Sequence, residues 1–430
     1  MTQPLRIALV GLGTVGCGVI RLLEDNGDLI ARRAGRPVKV VAVTARDRNK
    51  DRGVDLSGIR WVDDMAELAH ADDVDIVVEL IGGSDGPALT LARASLTAGK
   101  RFVTANKAMI AHHGQELAEL AESRGSTLKY EAAVAGGIPA IKGIREGAAA
   151  NRIERIYGIL NGTCNFILSA MESEGRDFGE VLADAQIRGF AEADPSFDID
   201  GIDAAHKLSI LASLAYDARI DFGGVEVAGI RHIVAADISQ AKALGYRIRL
   251  IGLAEMDDGH LFQRVNPYLI PEDHPLADID GPTNAVVVEG NHVGRLLFQG
   301  RGAGDGPTAS AVMADIIDIA RGDVGPTLST VATELEALGR AETGHRQSKA
   351  YVRFQVADKP GVLAEIAAAM RDANVSIESL IQKEAAIDAM ATIAIVTHSC
   401  AESNVSDALG RLEGSSYLLA APMVMRILAD

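Results

Sequence analysis

The sequence predicts an α/β chain in three parts, on three observations. Apolar runs alternate with helix-like segments up to about residue 131, a longer series of strand-like runs follows, and the tail has the order βαββαβ. At 430 residues the chain exceeds one ordinary core. Hydrophobic residues make up 48% and charged ones 23%, a globular balance, and 4% aromatics predict a mostly aliphatic core. A net charge of −17 argues against nucleic acid or an anionic membrane as partner. No apolar run reaches membrane-spanning length and no signal-peptide layout opens the chain. Cys17, Cys164 and Cys400 are odd in number and widely spaced, which suits reduced thiols in a cytoplasm.

Leu5 to Val10 is a short apolar run, followed directly by Gly11-Leu12-Gly13-Thr14-Val15-Gly16 and a helix-like stretch. Strand, GxGxxG, helix is the setting that turns a weak pattern into a dinucleotide fingerprint, as in Rossmann-type domains. The alternative is a purely structural glycine turn. Further strands are predicted at 38–44, 76–80, 101–105 and 127–131, with helices at 65–71 and 87–98. At the end of the second strand an NAD site usually carries an acid for the ribose. Here Thr44-Ala45-Arg46-Asp47 puts a guanidinium there, so NADP is favoured, with Asp47 keeping NAD open. The later tips, Gly82 and Lys107, face the cofactor if the sheet is open and parallel. A lone lysine there also reads as a solvated surface charge.

From Glu131 the text becomes small, apolar and turn-rich (AAVAGGIP). Such a segment exposes carbonyls, which with one carboxylate could hold a hard monovalent cation, or it is a hinge. A helix is predicted at 140–147, a strand at 153–160, and a turn at Asn161-Gly162-Thr163 with Thr163 capping the next helix. That sequon reads as a chance match, since glycosylation needs a secreted chain. The stretch GFAEADPSFDIDGIDAAHKL gathers Glu192, Asp194, Asp198, Asp200 and Asp203 and then a cation, Lys207. Asp203 and Lys207 are four apart on a predicted helix and share a face. The bland alternative is a surface ion pair worth about 0.3–0.5 kcal/mol. Runs at 229–235, 247–254, 261–267, 285–288 and 293–299 predict the sheet of an α+β domain. A glycine-rich loop around Gly304 ends it, with Thr308 capping a helix to Arg321 that returns to the nucleotide domain. Residues 322–348 read as a linker. The tail predicts strands at 351–356, 375–382, 392–397 and 423–428 with helices at 362–372 and 403–412, a ferredoxin-like unit able to fold alone.

GLGTVG, TANKA, EAAVAGGIP, NGTCNFIL, AEADPSFDIDGIDAAHKL and GRGAG, in that order, resemble homoserine dehydrogenase over about the first 320 residues. The tail with DKPGVL resembles an ACT domain, and the pairing resembles the monofunctional long form of that family. The resemblance implies a Rossmann-type NAD(P) domain over 1–131, a catalytic and dimerisation domain over 132–321, a linker over 322–348 and an ACT regulatory domain over 349–430. It implies NAD(P)H-dependent reduction of L-aspartate 4-semialdehyde to L-homoserine, on the route to threonine and methionine. Lys207 matches the acid–base lysine, with Asp203 beside it, and Lys107 the lysine at the cofactor–substrate junction. Glu192, Gly189, Asp198 and Thr163 match the substrate side. Gly11 to Gly16, Arg46, Gly82, Lys107, Gly189 and Gly304 fall on the cofactor side. Glu131, Val134, Gly136 and Ile138 match a sodium site. A homodimer or homotetramer and threonine as effector are further implications. Two other readings compete: an acylating aldehyde dehydrogenase using Cys164, and a nucleotide-binding amino-acid sensor without catalysis. The Lys–Asp–Glu constellation disfavours the second, and the missing histidine partner the first.

Overall fold

The computed structural model describes residues 3–384 and 390–429. Its first layer is a six-stranded parallel sheet in the order Arg60–Trp61, Val38–Thr44, Leu5–Val10, Ile76–Glu79, Arg101–Thr104, Leu128–Lys129. The order reverses beside Leu5–Val10, and a crevice for a nucleotide opens at such a switch point. Arg60–Trp61 is a strand that periodicity does not reveal, because two residues carry no pattern. The predicted helix at 65–71 is a 3₁₀ turn, Met65–Ala69. The helix Asp305–Arg321 packs on Thr14–Ala34 and joins the sheet's core through Val312, Met313 and Ile316. It starts at Asp305 after Gly304, so Thr308 lies inside it and caps nothing.

The second layer is a ten-stranded mixed sheet. Gly294–Arg301, Thr283–Gly290, Ile153–Ile159, Tyr246–Asp257 and His260–Pro271 run antiparallel across it, and the short Glu226–Val227 pairs with the last of these. The predicted strand at 229–235 is absent. Gly229 crosses so close over Ile199 that a Cβ would lie 2.0 Å from its carbonyl oxygen, and Ile230 N–H donates to that oxygen. The segment thus braces the acidic stretch instead of extending the sheet.

The tail does not stand apart. Met423–Ile427 pairs in parallel with His260–Pro271, and Ala350–Ala357, Met390–Thr397 and Ile377–Glu384 continue the same sheet. Tyr351 Oη lies 2.6 Å from Gln240 Oε1 and 3.1 Å from Asp237 Oδ1, and Arg353 Nε donates to the fully buried Asp237 at 2.5 Å. Arg264 clamps Glu402 with two bonds of 2.8 and 2.9 Å, both side chains buried. These bonds tie the C-terminal unit to the sheet that precedes it. The 322–348 stretch is likewise pinned. Leu328, Ala332 and Leu335 are buried, Tyr130 Oη donates to the Thr327 carbonyl, and Arg340 pairs with Asp221 at 2.8 Å.

Candidate active site

Strand Leu5–Val10 delivers the glycine loop to the crevice. Gly11 sits at φ +103 and a Cβ there would meet the Leu80 carbonyl at 2.8 Å; at Gly16 it would lie 2.1 Å from the Gly11 carbonyl oxygen. Those two positions exclude side chains for the protein's own packing. Over Gly13 nothing lies within 4 Å, and the helix Thr14–Ala34 begins there without a side-chain cap. Open space above unpaired helix N–H groups is what a pyrophosphate requires. Arg46 is exposed at the end of Val38–Thr44. Two further cations follow in the sequence: Arg52 donates to the Leu12 carbonyl at 3.2 Å, and Arg48 and Arg52 both lie against the Trp61 ring. Glu79 is fully buried and accepts from the N–H groups of Ile81 and Gly82 and from Thr104 Oγ1, which fixes the tip carrying Gly82.

A cleft of about 1000 Å³ opens between the two layers. Val15, Gly82 and Lys107 line it from the nucleotide side, and Thr163, Gly189, Glu192, Asp198, Asp203 and Lys207 from the other. Helix Ile202–Tyr216 is buried along almost its whole length, so Asp203 and Lys207 are 4% and 7% exposed. That burial excludes the surface-pair alternative. Lys207 Nζ donates to Asp203 Oδ2 and to the Leu160 carbonyl, each at 2.7 Å. An ammonium has three donors, so one is left for the cleft. Lys107 opens helix Lys107–Ser123, whose first turn is capped by Asn106, and its Nζ lies 3.1 Å from Asp203 Oδ1. Asp203 therefore bridges two lysines, one from each layer. Asp203 and its ion pair raise the Lys107 pKa despite burial. Burial alone would push the Asp203 carboxyl up; the ammoniums of Lys207 and Lys107, with Asn161, hold it well below the usual carboxylate range. Burial and repulsion from Asp203 raise Asp198.

The turn at 161–163 works differently from the expectation. Asn161, not Thr163, caps helix Gly162–Glu174, accepting from Cys164 N–H at 2.8 Å. Its amide donates to Asp198 and Asp203 at 2.7 and 2.8 Å, which fixes both carboxylates. Thr163 Oγ1 donates to the Phe190 carbonyl and lies 3.2 Å from Asp198. Asn284 holds the Leu160 carbonyl from the far side at 2.9 Å. Behind the helix, His206 Nε2 meets His112 Nε2 at 3.1 Å, and burial with His112 presses its pKa down to about 4, so neutral imidazole packs there at neutral pH. Asn284 stands outside every motif, and Asn161 and His206 lie within NGTCNFIL and AEADPSFDIDGIDAAHKL without a role that spacing assigns to them.

Of the remaining expected residues, Gly304 lines the cleft, and so does Gly136. Glu131, Val134 and Ile138 lie behind it, buried. The Glu131 carboxylate accepts from the N–H groups of Ile141 and Lys142 at 3.1 and 3.0 Å. Burial, then the nearby Asp315, pushes its pKa up to about 8. Cys164 is buried with its thiol pKa raised, first by burial, which removes the acylating-thiolate alternative.

A dinucleotide crevice facing a buried lysine–carboxylate network defines a nicotinamide-nucleotide-dependent oxidoreductase of the α/β class. The family models described as "Homoserine dehydrogenase, NAD binding domain", "Homoserine dehydrogenase" and "ACT domain" match residues 11–131, 139–317 and 350–414. A homoserine dehydrogenase of Pseudomonas aeruginosa is 44% identical, covering 96% of each chain, and one of Corynebacterium glutamicum is 41% identical over 99% of this chain and 96% of that one. The crystal structure of a homoserine dehydrogenase from Thiobacillus denitrificans superimposes with a TM-score of 0.93 at 40% identity, covering 99% and 98%. A hyperthermophilic archaeal homoserine dehydrogenase mutant in complex with NADPH matches 74% of this chain and 97% of its own, with a TM-score of 0.62 at 27% identity. The chain belongs to the homoserine dehydrogenase family, the NAD(P)-dependent oxidoreductases that interconvert L-aspartate 4-semialdehyde and L-homoserine. Its C-terminal domain is an ACT domain, and among the described residues no helix is long and apolar enough to cross a membrane.

Proposed function

We propose that Lys207 is the acid–base group of this reaction and that Asp203 sets its position and that of Lys107. The observation that carries the reading is the single buried carboxylate bridging both lysines. The dihydronicotinamide supplies the hydride when bound. Reduction of the aldehyde leaves an alkoxide, and the free donor of Lys207 protonates it while its charge stabilises the developing anion. Lys107, at the mouth of the nucleotide crevice, holds the substrate between cofactor and acid. Glu192, exposed on the cleft wall, offers the anion an amino-acid ammonium needs, and Asp198, Thr163 and the Gly189 backbone complete the pocket. The direct test is NADPH oxidation driven by L-aspartate 4-semialdehyde, with the reverse reaction on L-homoserine. No turnover in either direction overturns the assignment.

NADP is the favoured cofactor. Only the 2′-phosphate gives Arg46 a charge-assisted partner. Arg46→Ala is expected to weaken NADPH about tenfold or more and NADH little, read by fluorescence titration. Equal weakening of both removes Arg46 from the site. A sodium ion is assigned to the Glu131 carboxylate and the carbonyls of Val134, Gly136 and Ile138. Supporting it, Glu131 and Asp315 bury two acids together, and Ala135 and Gly136 both turn left-handed at φ 56, re-aiming their carbonyls. Among the described residues no group of three His, Cys, Asp or Glu could serve instead. Exchange of sodium for N-methylglucammonium should lower the melting temperature; an unchanged value removes the ion. Threonine is the assigned effector of the ACT domain, and indifference of the full chain to millimolar threonine refutes that. The free, buried cysteines support a cytoplasmic setting. The unpaired edge strand Gly294–Arg301, with Val293 and Leu297 exposed, supports a homodimer or homotetramer, checked by sedimentation.

A further inference from the structure

The loop between strands Val38–Thr44 and Arg60–Trp61 contains the run Arg46-Asp47-Arg48-Asn49-Lys50-Asp51-Arg52. Its cations at 46, 48, 50 and 52 outnumber its acids at 47 and 51, in a chain of net charge −17. Residues 46–51 are all exposed, and Arg52 is half-buried. An exposed loop with no outside anchor must be ordered when its ligand binds, and that cost weakens affinity. Arg52 supplies the anchor. Each of its guanidinium nitrogens donates to a different main-chain carbonyl: Nε to Leu12 at 3.2 Å, Nη1 to Lys50 at 2.7 Å, and Nη2 to Asp47. Leu12 lies between Gly11 and Gly13, so one side chain ties the charged loop to the glycine loop. Among the described residues no other hydrogen bond joins 45–51 to the glycine loop. Trp61 backs the clasp. Its ring centroid is 5.7 Å from the Arg52 guanidinium carbon, and its Nε1 donates to Asp63 at 3.1 Å, which fixes the ring. The glycine loop keeps its own shape by other means: Gly11 N–H donates to the Thr44 carbonyl at 2.9 Å, and Gly11 and Gly16 are closed in by their neighbours. Within the charged loop the Asp47 carboxylate accepts from Asn49 N–H at 2.9 Å, so that acid is engaged locally.

We propose that Arg52 is a positioning residue for cofactor selection: by clasping the charged loop to the glycine loop, it presents Arg46 to the ribose 2′-phosphate already placed. The proposal rests on the assignment of Arg46 to that phosphate and adds what holds Arg46 there. The clasp requires arginine. A planar fork donates in fixed, separate directions to carbonyls on two loops, whereas a lysine ammonium keeps the charge and loses the fork. Selection then comes from preorganisation: the pyrophosphate site exists without the clasp, and the 2′-phosphate site depends on it.

Calorimetric titration of the full chain with NADP⁺ and with NAD⁺, which differ by the 2′-phosphate alone, tests it. Arg52→Gln and Arg52→Lys are each expected to weaken NADP⁺ about fivefold or more and NAD⁺ less than about twofold. Because Arg52 acts through Arg46, the double variant Arg46→Ala, Arg52→Gln should bind NADP⁺ no more weakly than Arg46→Ala alone. Native NADP⁺ affinity in Arg52→Lys would show that charge and not the clasp matters, and overturns the proposal. Equal losses for both cofactors, the mark of a merely structural residue, overturn it too, as do losses that multiply in the double variant. An Arg46→Ala chain that binds NADP⁺ as the unaltered chain does removes the assignment of Arg46, and the proposal falls with it. Arg52 variants that bind natively while Arg46→Ala does not leave that assignment standing and overturn the proposal alone.

Discussion

Lys207→Ala is expected to lower kcat by a factor of about 10²–10⁴, the usual contribution of a positioned acid or base. NADPH affinity should hardly change, because Lys207 lies on the catalytic helix and not in the glycine crevice. The lost ammonium leaves Asp203 with Lys107 and Asn161, so the carboxylate stays compensated and the fold should survive. Thermal denaturation of the same variant separates the two effects. A variant that keeps most of its turnover would reduce the buried pair to a structural salt bridge.

The second large effect concerns the tail. A chain ending at Ser348 is expected to lose most of its folded, active form. Removal of Arg353 and Tyr351 leaves Asp237 buried without its cation, which costs about 3–5 kcal/mol. Removal of Glu402 takes two bonds from the buried Arg264, and strand His260–Pro271 loses its pairing with Met423–Ile427. Domain stabilities total about 5–15 kcal/mol, so these losses are decisive. Soluble yield and melting temperature measure the outcome. A truncated chain with an unchanged melting temperature and full turnover would show that the junction is incidental.

The sequence carried the parts of this account that depend on local pattern. The glycine fingerprint, the parallel strands, the helix bearing Asp203 and Lys207 and the ferredoxin-like tail are written in spacings of two, three and four residues. What it did not carry depends on contacts far apart in the chain. The reach of Lys107 to Asp203 joins residues on two layers, and the role of Asn161 appears only when two acids lie beside its amide. Residues 229–235 look like a strand because their apolar content is real, but Ile230 and Ile233 are buried in the core while the Ile230 N–H bonds to the Ile199 carbonyl. The packing of residues 322–348 is hidden for a similar reason: polar, turn-rich text can still be fixed by burial, as Leu328 and Ala332 show.

The central claim, that Lys207 and Asp203 act as one unit, is tested most directly by a double-mutant cycle on kcat. Lys207→Ala, Asp203→Asn and the double variant are compared at saturating NADPH and L-aspartate 4-semialdehyde. If the carboxylate works by placing the ammonium, the double variant should be about as slow as Lys207→Ala alone, because nothing is left to place. Losses that multiply, with the double variant slower by the product of the two single effects, would show that the residues act independently and contradict the account.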